Sequence, residues 1–332
     1  MIDADILDAL RRMGLLADGE TPAAEALTGG VSSDIWKIAS ARGTFCIKRA
    51  LAKLRTEKDW YAPVSRNANE AAWMRIAARA GPSAVPDLIG EDADAGMFAM
   101  AYLDPADHPV WKSLLRDGHV VPAEAATVGD ALGRIHAATA GDAAVAKRFA
   151  TDDIFHAIRL EPYLLRTAEA HPDLANRLRD LAGVTAETRL VLVHGDVSPK
   201  NILIGPGGPV FLDAECAWYG DPAFDLAFCL KHMLLKCVWR PQWTDGYLAC
   251  FHELRDAYLR HVSWEPAGAM EARTAALLPG LLLARIDGTS PVEYITEEND
   301  KDRVRRAARA GLGEETDSLE GVATLFRQEV GI

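Results

Sequence analysis

The stretch HGDVSPKNILIGPGGPVFLDAE, residues 194–215, decides the fold. Two short apolar runs, NILI (201–204) and VFL (210–212), flank a glycine- and proline-rich turn, and together they read as a β-hairpin. Asp196 precedes the first run and Asn201 opens it, while Asp213 closes the second run and Glu215 lies two residues further on. A single aspartate in such a place is as readily a turn residue. Three carboxylates and a carboxamide on the two ends of one hairpin are harder to obtain by chance. The set suits phosphoryl transfer, in which the protein mainly positions reactants and neutralises charge. Asn201 and Asp213 would supply the hard oxygen ligands that Mg²⁺ takes alongside phosphate oxygens and water. Asp196 would orient an attacking hydroxyl, a task that needs no raised pKa when the transition state is loose.

HGDVSPKN together with FLDAECAWYGDPAFDLA (211–227) resembles the signature region of the aminoglycoside phosphotransferase and choline kinase superfamily. The resemblance implies an α+β, protein-kinase-like fold of two lobes, with Asp196 as the catalytic aspartate and Asn201 and Asp213 as Mg²⁺ ligands. It also implies that His194 holds the loop by packing and that Asp225 braces it. Independently, Asp225 lies in the first turn after Pro222, where a carboxylate suits a helix start. Asp213-Ala-Glu215, with Ala217 and Tyr219-Gly220, is similar to a pattern of methylthioribose kinases, as is CIKRALAKLR with Trp60 beyond it. That similarity implies Glu215 as a further metal ligand, the other reading being a solvated acid. Asn201 departs from it, because those enzymes carry serine there. Arg305-Arg306 either grips a sugar, as in that family, or forms a basic helix face.

The N-terminal part fits the same frame. Residues 24–51 read as a three-stranded meander, on whose third run Phe45, Ile47 and Arg49 share one face and Cys46, Lys48 and Ala50 the other. A helix over 67–80 is stopped by Gly81-Pro82, and 97–103 reads as a strand. By the resemblance, Gly29, Gly30, Ser32 and Ser33 cover the nucleotide phosphates, Lys48 pairs with Glu70, and Met100 to Leu103 form a hinge. Backbone groups of Ala101 and Leu103 would meet the adenine edge. The expected division is a nucleotide-binding lobe at 1–103 and a mainly helical lobe at 104–332 carrying the catalytic loop and acceptor site.

The rest of the sequence narrows the class. The 332 residues carry 36 Lys and Arg against 48 Asp and Glu, a net charge of −12, which disfavours a nucleic-acid partner. No run approaches the roughly 20 apolar residues of a membrane helix, and the acidic start MIDADILDAL is unlike a signal peptide. Five cysteines without a CxxC pair fit reduced thiols in a cytoplasmic protein, and the histidines show no zinc spacing. Without Asp-Phe-Gly or Ala-Pro-Glu the chain does not read as a Ser/Thr protein kinase.

Near the expected acceptor site stand Lys200, Trp218 and Tyr219. Asp287, Glu293, Glu297, Glu298 and Asp300 either line a cationic pocket or form a solvated surface. The Leu-rich run LKHMLLKCVW (230–239) reads as core. The expectation is an ATP- or GTP-dependent, Mg²⁺-assisted kinase of a small-molecule hydroxyl, acting on a sugar, a methylthioribose-like compound, an amino alcohol or an aminoglycoside. The alternative is a catalytically silent pseudokinase or nucleotide-binding module. Oligomeric state is not legible.

Overall fold

The structure, a computed structural model, describes residues 2–27, 33–53, 63–314 and 316–332. Five antiparallel strands come first: β1 (Ala23–Leu27), β2 (Ser33–Ser40), β3 (Gly43–Ala50), β4 (Leu88–Asp92) and β5 (Met97–Ala101), in the order β1-β2-β3-β5-β4. Alternation along β3 decides what each face meets. Phe45 and Ile47 join Met97 and Ala99 beneath helix α1 (Ala4–Arg12), against its Ile6 and Leu10. Cys46 faces the opposite way, into the large core with Trp73, Met74 and Ala77 of helix α2 (Arg66–Ala80). Lys48 therefore lies on the α2 side, opposite Ile35 of β2 and Phe98 of β5.

Two departures from the sequence reading concern this sheet. β4 was not expected, since LIGED contains a glycine and two acids and shows no clean alternation; its pairing with β5 is irregular between Leu88 and Gly90. The strand expected over 97–103 ends at Ala101, and the chain then turns where Asp104 C=O accepts from the N–H groups of Asp107 and His108.

The remainder is mainly helical: α3 (Trp111–Arg116), α4 (Pro122–Thr139), α5 (Ala143–Arg148), α6 (Asp152–Phe155), α7 (Arg166–Ala170) and α8 (Ala175–Glu187). Between α6 and α7 the turns widen into a π-helix, His156–Leu165, with Pro162 inside it. Then come β6 (Val191–Val193), the hairpin β7 (Ile202–Gly205) and β8 (Gly208–Phe211), and β9 (Trp218–Gly220), which pairs with β6. Helices α9 (Pro222–Trp239), α10 (Thr244–Leu259), α11 (Ala267–Asp287), α12 (Glu298–Gly313) and α13 (Leu319–Val330) complete the chain. α9 opens with Asp221 capping the Ala223 N–H and Pro222 in its first turn, and it is buried from Pro222 to Val238. No described helix is long and apolar enough to cross a membrane, and all five cysteines are free and buried.

Candidate active site

Lys48 is 2% exposed, and its ammonium meets two carboxylates: Glu70 Oε2 of α2 at 2.6 Å and Asp213 Oδ1 beyond β8 at 2.6 Å. Glu70 also accepts the Asp213 backbone N–H at 3.2 Å, so sheet, helix and hairpin end share one charge cluster. Burial works against the Lys48 ammonium, but Asp213 and Glu70 overcome it and hold its pKa above the ordinary value. Burial raises the Glu70 carboxyl, with Lys48 opposing. Asp213 stays well below the usual carboxylate range, because Lys48 and Lys200 outweigh the cost of its burial. Among the described residues Asp213 is the one non-glycine with a left-handed backbone (φ 68°), a strained conformation of the kind found where a side chain must be aimed.

The loop after β6 is held by Asp225 in the first turn of α9. Its two carboxylate oxygens accept the N–H groups of His194 (2.7 Å) and Gly195 (2.8 Å). His136 of α4 bridges Asp225 (3.2 Å) to the Tyr258 hydroxyl (2.7 Å). His194 accepts the Asp196 N–H on Nδ1 at 3.1 Å, leaving Nε2–H to face Leu212 C=O at 3.1 Å. Burial lowers its pKa, in keeping with that neutral form. Trp73 of α2 meets its ring edge-on at 4.7 Å. Gly195 (φ 81°) backs onto Cys216, whose Cβ would stand 2.8 Å from any Cβ added there. Only glycine meets both demands without strain.

That loop presents Asp196, 5% exposed. Arg159 of the π-helix reaches Asp196 Oδ2 at 3.1 Å and donates through Nε to Gly195 C=O, and Lys200 reaches the same Oδ2 at 3.2 Å. Against the cost of burial, Lys200 and Arg159 keep the Asp196 carboxyl below its ordinary pKa, so it is ionised and able to accept a hydroxyl proton in a hydrogen bond. Asn201 spends its amide N–H on Asp196 C=O at 3.1 Å, and its backbone C=O accepts the Leu212 N–H at 2.8 Å. Its side-chain oxygen is not used in these bonds, and the half-buried Asp213 follows Leu212 directly in the chain. Two oxygen donors of this kind fit Mg²⁺, which takes one or two protein groups and completes its shell from phosphate and water. Among the described residues no three His, Cys, Asp or Glu side chains form a cage that could hold a metal.

The other expected site residues fall as follows. Glu215 is buried rather than solvated; Arg66 Nε donates to its Oε2 at 2.9 Å. Trp218 stacks on Phe155 at 4.3 Å and donates to Asp152, and the Tyr219 hydroxyl donates to Leu190 C=O. Both polar atoms are thus used inside the fold. The Ala101 N–H is taken by Asp87 C=O at 2.8 Å, which leaves its carbonyl as the hinge group to consider; Met100 is buried against the main core, and Leu103 follows it beyond β5. Ser33 is buried, its hydroxyl without a partner among the described residues. Gly29, Gly30, Ser32 and Trp60 lie outside the described residues.

The acids considered for a cationic pocket are engaged or exposed. Asp287 pairs with Arg305 at 2.8 Å and His171 at 2.9 Å, Glu293 pairs with Lys112, and Glu297 and Glu298 are exposed. Arg306 reaches only the Glu329 carbonyl among the described residues. Sequence reasoning missed Arg66 and Arg159, whose partners lie far along the chain. It also missed Lys231, His232 and Lys236, which are buried in the Leu-rich helix.

A family model described as "Phosphotransferase enzyme family" matches residues 23–261. A curated protein of Klebsiella pneumoniae, "Probable ketoamine kinase in tonB 3'region", is 41% identical over 56 residues, which is 17% of this chain and 42% of that one, so the match spans less than half of that relative's length. A choline/ethanolamine kinase family protein from Mesorhizobium loti is similar in structure, with a TM-score of 0.54 and 18% identity over 98% of this chain and 99% of that one. So is the amicoumacin kinase hAmiN, solved with AMP-PNP and Ca²⁺, with a TM-score of 0.60 and 13% identity over 98% of this chain and 97% of that one. At these identities the two structures speak for a shared α+β, kinase-like fold. The family match spans most of the chain and takes in every element of the Lys48 and Asp196 clusters, so the chain belongs to the phosphotransferase enzyme family.

Proposed function

We propose that this protein transfers the γ-phosphate of ATP or GTP to a hydroxyl of a small molecule. The observation that carries the reading is the Lys48 ammonium held between Glu70 and Asp213, each at 2.6 Å, next to a loop that presents an ionised Asp196. A lysine fixed in this way can bind the α- and β-phosphates as a point charge. Asn201 and Asp213 would hold Mg²⁺, and Glu215, neutralised on one oxygen by Arg66, adds to the same acidic pole. When bound, the ion would offset the charge on the transferring phosphoryl group.

Asp196 accepts the hydrogen bond of the attacking hydroxyl and orients it. Lys200, on the same carboxylate oxygen, stands where it can meet the phosphoryl group as it transfers. Gly29, Gly30, Ser32 and Ser33 cover the phosphates with backbone N–H groups. The Ala101 carbonyl and the Leu103 backbone meet the adenine edge beside Met100. The nucleotide part comprises residues 1–103 and the acceptor part 104–332. AMP-PNP and Ca²⁺ in the amicoumacin kinase support a nucleotide and a divalent cation.

The test is ADP release from Mg·ATP against a panel of hydroxyl acceptors, with Asp196→Ala as the blank. Acceptor-dependent release that is absent from the blank supports the reading. A folded protein that binds no Mg·nucleotide rejects it.

A further inference from the structure

The helix read as plain core carries three basic residues, Lys231, His232 and Lys236, all at most 7% exposed. Lys231 is fully buried, and its side-chain nitrogen has no hydrogen-bond partner among the described residues. It lies over the Phe228 ring and 5.1 Å from the centre of Tyr163. Two more cations surround the same tyrosine: Arg159, 5.9 Å from the ring centre, and Arg285 of α11, also at 5.9 Å. Arg285 donates to Ser290 and, at 3.4 Å, to the Tyr163 hydroxyl, while its buried Nε has no partner among the described residues. Two orphaned cationic donors on neighbouring helices thus frame one tyrosine, and Arg159 at its edge touches Asp196.

Charge accounting around this group is one-sided. The strongest charges acting on Lys231 are Arg285, Asp196, Arg159 and Lys200, three cations and one acid. Burial, together with these cations, pushes its pKa well below the ordinary lysine value, so an anion beside it is what would hold its proton. That acid is already shared by Arg159 and Lys200. Further along α9, Lys236 stands 4.9 Å from the Tyr294 ring centre, with Lys112 and Glu293 beside it. Glu293 is paired with Lys112. Burying an ammonium without a counter-charge is costly, and the ring faces of Phe228 and Tyr163 repay only part of that cost. Such an unpartnered buried group, beside the Arg159 that touches Asp196, marks a place that a ligand would complete. A cationic acceptor such as an aminoglycoside or an amino alcohol would be repelled here.

Resting on the kinase reading above, we propose that the acceptor is an anion, a hydroxylated small molecule whose carboxylate or phosphate is bound by Lys231 and Arg285 while its hydroxyl is offered to Asp196. Arg285 supplies a fork suited to either oxyanion, and Lys231 adds a point charge.

Calorimetry on the protein loaded with Mg·AMP-PNP tests this. Matched pairs would be glycerate and glycerol, gluconate and glucose, and ribose 5-phosphate and ribose, with kanamycin as the cationic arm. The expected result is that at least one anion binds tenfold or more tightly than its neutral twin. The carboxylate and phosphate arms identify which oxyanion is preferred. Lys231→Met, which keeps the apolar contacts, and Arg285→Gln, on a half-buried site, should each remove that preference without changing AMP-PNP affinity. No preference for any anion, a preference for kanamycin, or wild-type anion binding in both variants overturns the proposal. Failure to bind Mg·AMP-PNP counts instead against the kinase reading itself.

Discussion

Lys48 and Asp213, 165 positions apart in the chain, meet at 2.6 Å, and Glu70 closes the other side of the same ammonium. One buried charge thus ties the five-stranded sheet, helix α2 and the end of the β7–β8 hairpin into a single geometry. The consequences can be measured.

Lys48→Met should cost about 3–5 kcal/mol, because it leaves the buried Glu70 and the half-buried Asp213 together without the ammonium between them. The penalty should be smaller at pH 5 than at pH 8. Glu70 is already raised by burial and rises further without the ammonium. A carboxyl whose folded pKa exceeds its unfolded one takes up a proton on folding, and the associated stability is lost as pH rises. Urea unfolding at both pH values checks this, and adding Glu70→Gln should recover part of the loss. A pH-independent penalty would contradict the account.

Asp196→Asn and Asp213→Asn should separate two roles. The first should reduce turnover by about 10²–10⁴-fold with nucleotide affinity intact. The second should weaken binding of the Mg·nucleotide more than that of the metal-free nucleotide. Fluorescent nucleotide titrations with and without Mg²⁺ distinguish them, and equal losses in both variants would reject the division.

Asp225→Ala should strand the His194 and Gly195 N–H groups inside the protein and leave His136 without its carboxylate. Each unsatisfied buried group costs about 1–3 kcal/mol. The melting temperature should drop and turnover should fall with it, since the loop that presents Asp196 loses its brace. A variant as stable as the parent would show that water replaces the carboxylate.

Burial and the neighbouring Lys112 push Lys236 down to about 7, with Glu293 opposing. The unfolded chain therefore binds a proton that the folded chain does not between that pH and the ordinary lysine value. Stability should rise with pH across this window relative to Lys236→Met. Urea midpoints at pH 7 and pH 9 for the two proteins give the comparison. Parallel profiles would mean that Lys236 keeps its proton when buried.

What could be read in advance follows from how each feature is encoded. Asp196, Asn201 and Asp213 belong to one short local unit, so spacing along the chain carried their convergence. The side taken by Lys48 followed from parity along β3. Glu215 illustrates the limit: its partner Arg66 is 149 positions away, and nothing nearby distinguishes a solvated acid from a buried one. Arg159 lies in a widened helical turn around Pro162, where the 3.6-residue period fails. The lysines of α9 were hidden because Leu, Met and Val on every side make the run look like ordinary interior. β4 went unseen because its pairing with β5 is supplied by tertiary contacts rather than by strand-forming side chains.

The thiol behind Gly195 offers a different use of the fold. Cys216 is fully buried, and its pKa is raised well above the ordinary value by that burial, so the sulfur is neither reachable nor ionised while the loop is closed. Its alkylation can proceed only through openings that part the loop from the chain beneath it. The rate at which an electrophile labels Cys216 is therefore a clock for motion of the loop that presents Asp196, and a bound nucleotide should slow it.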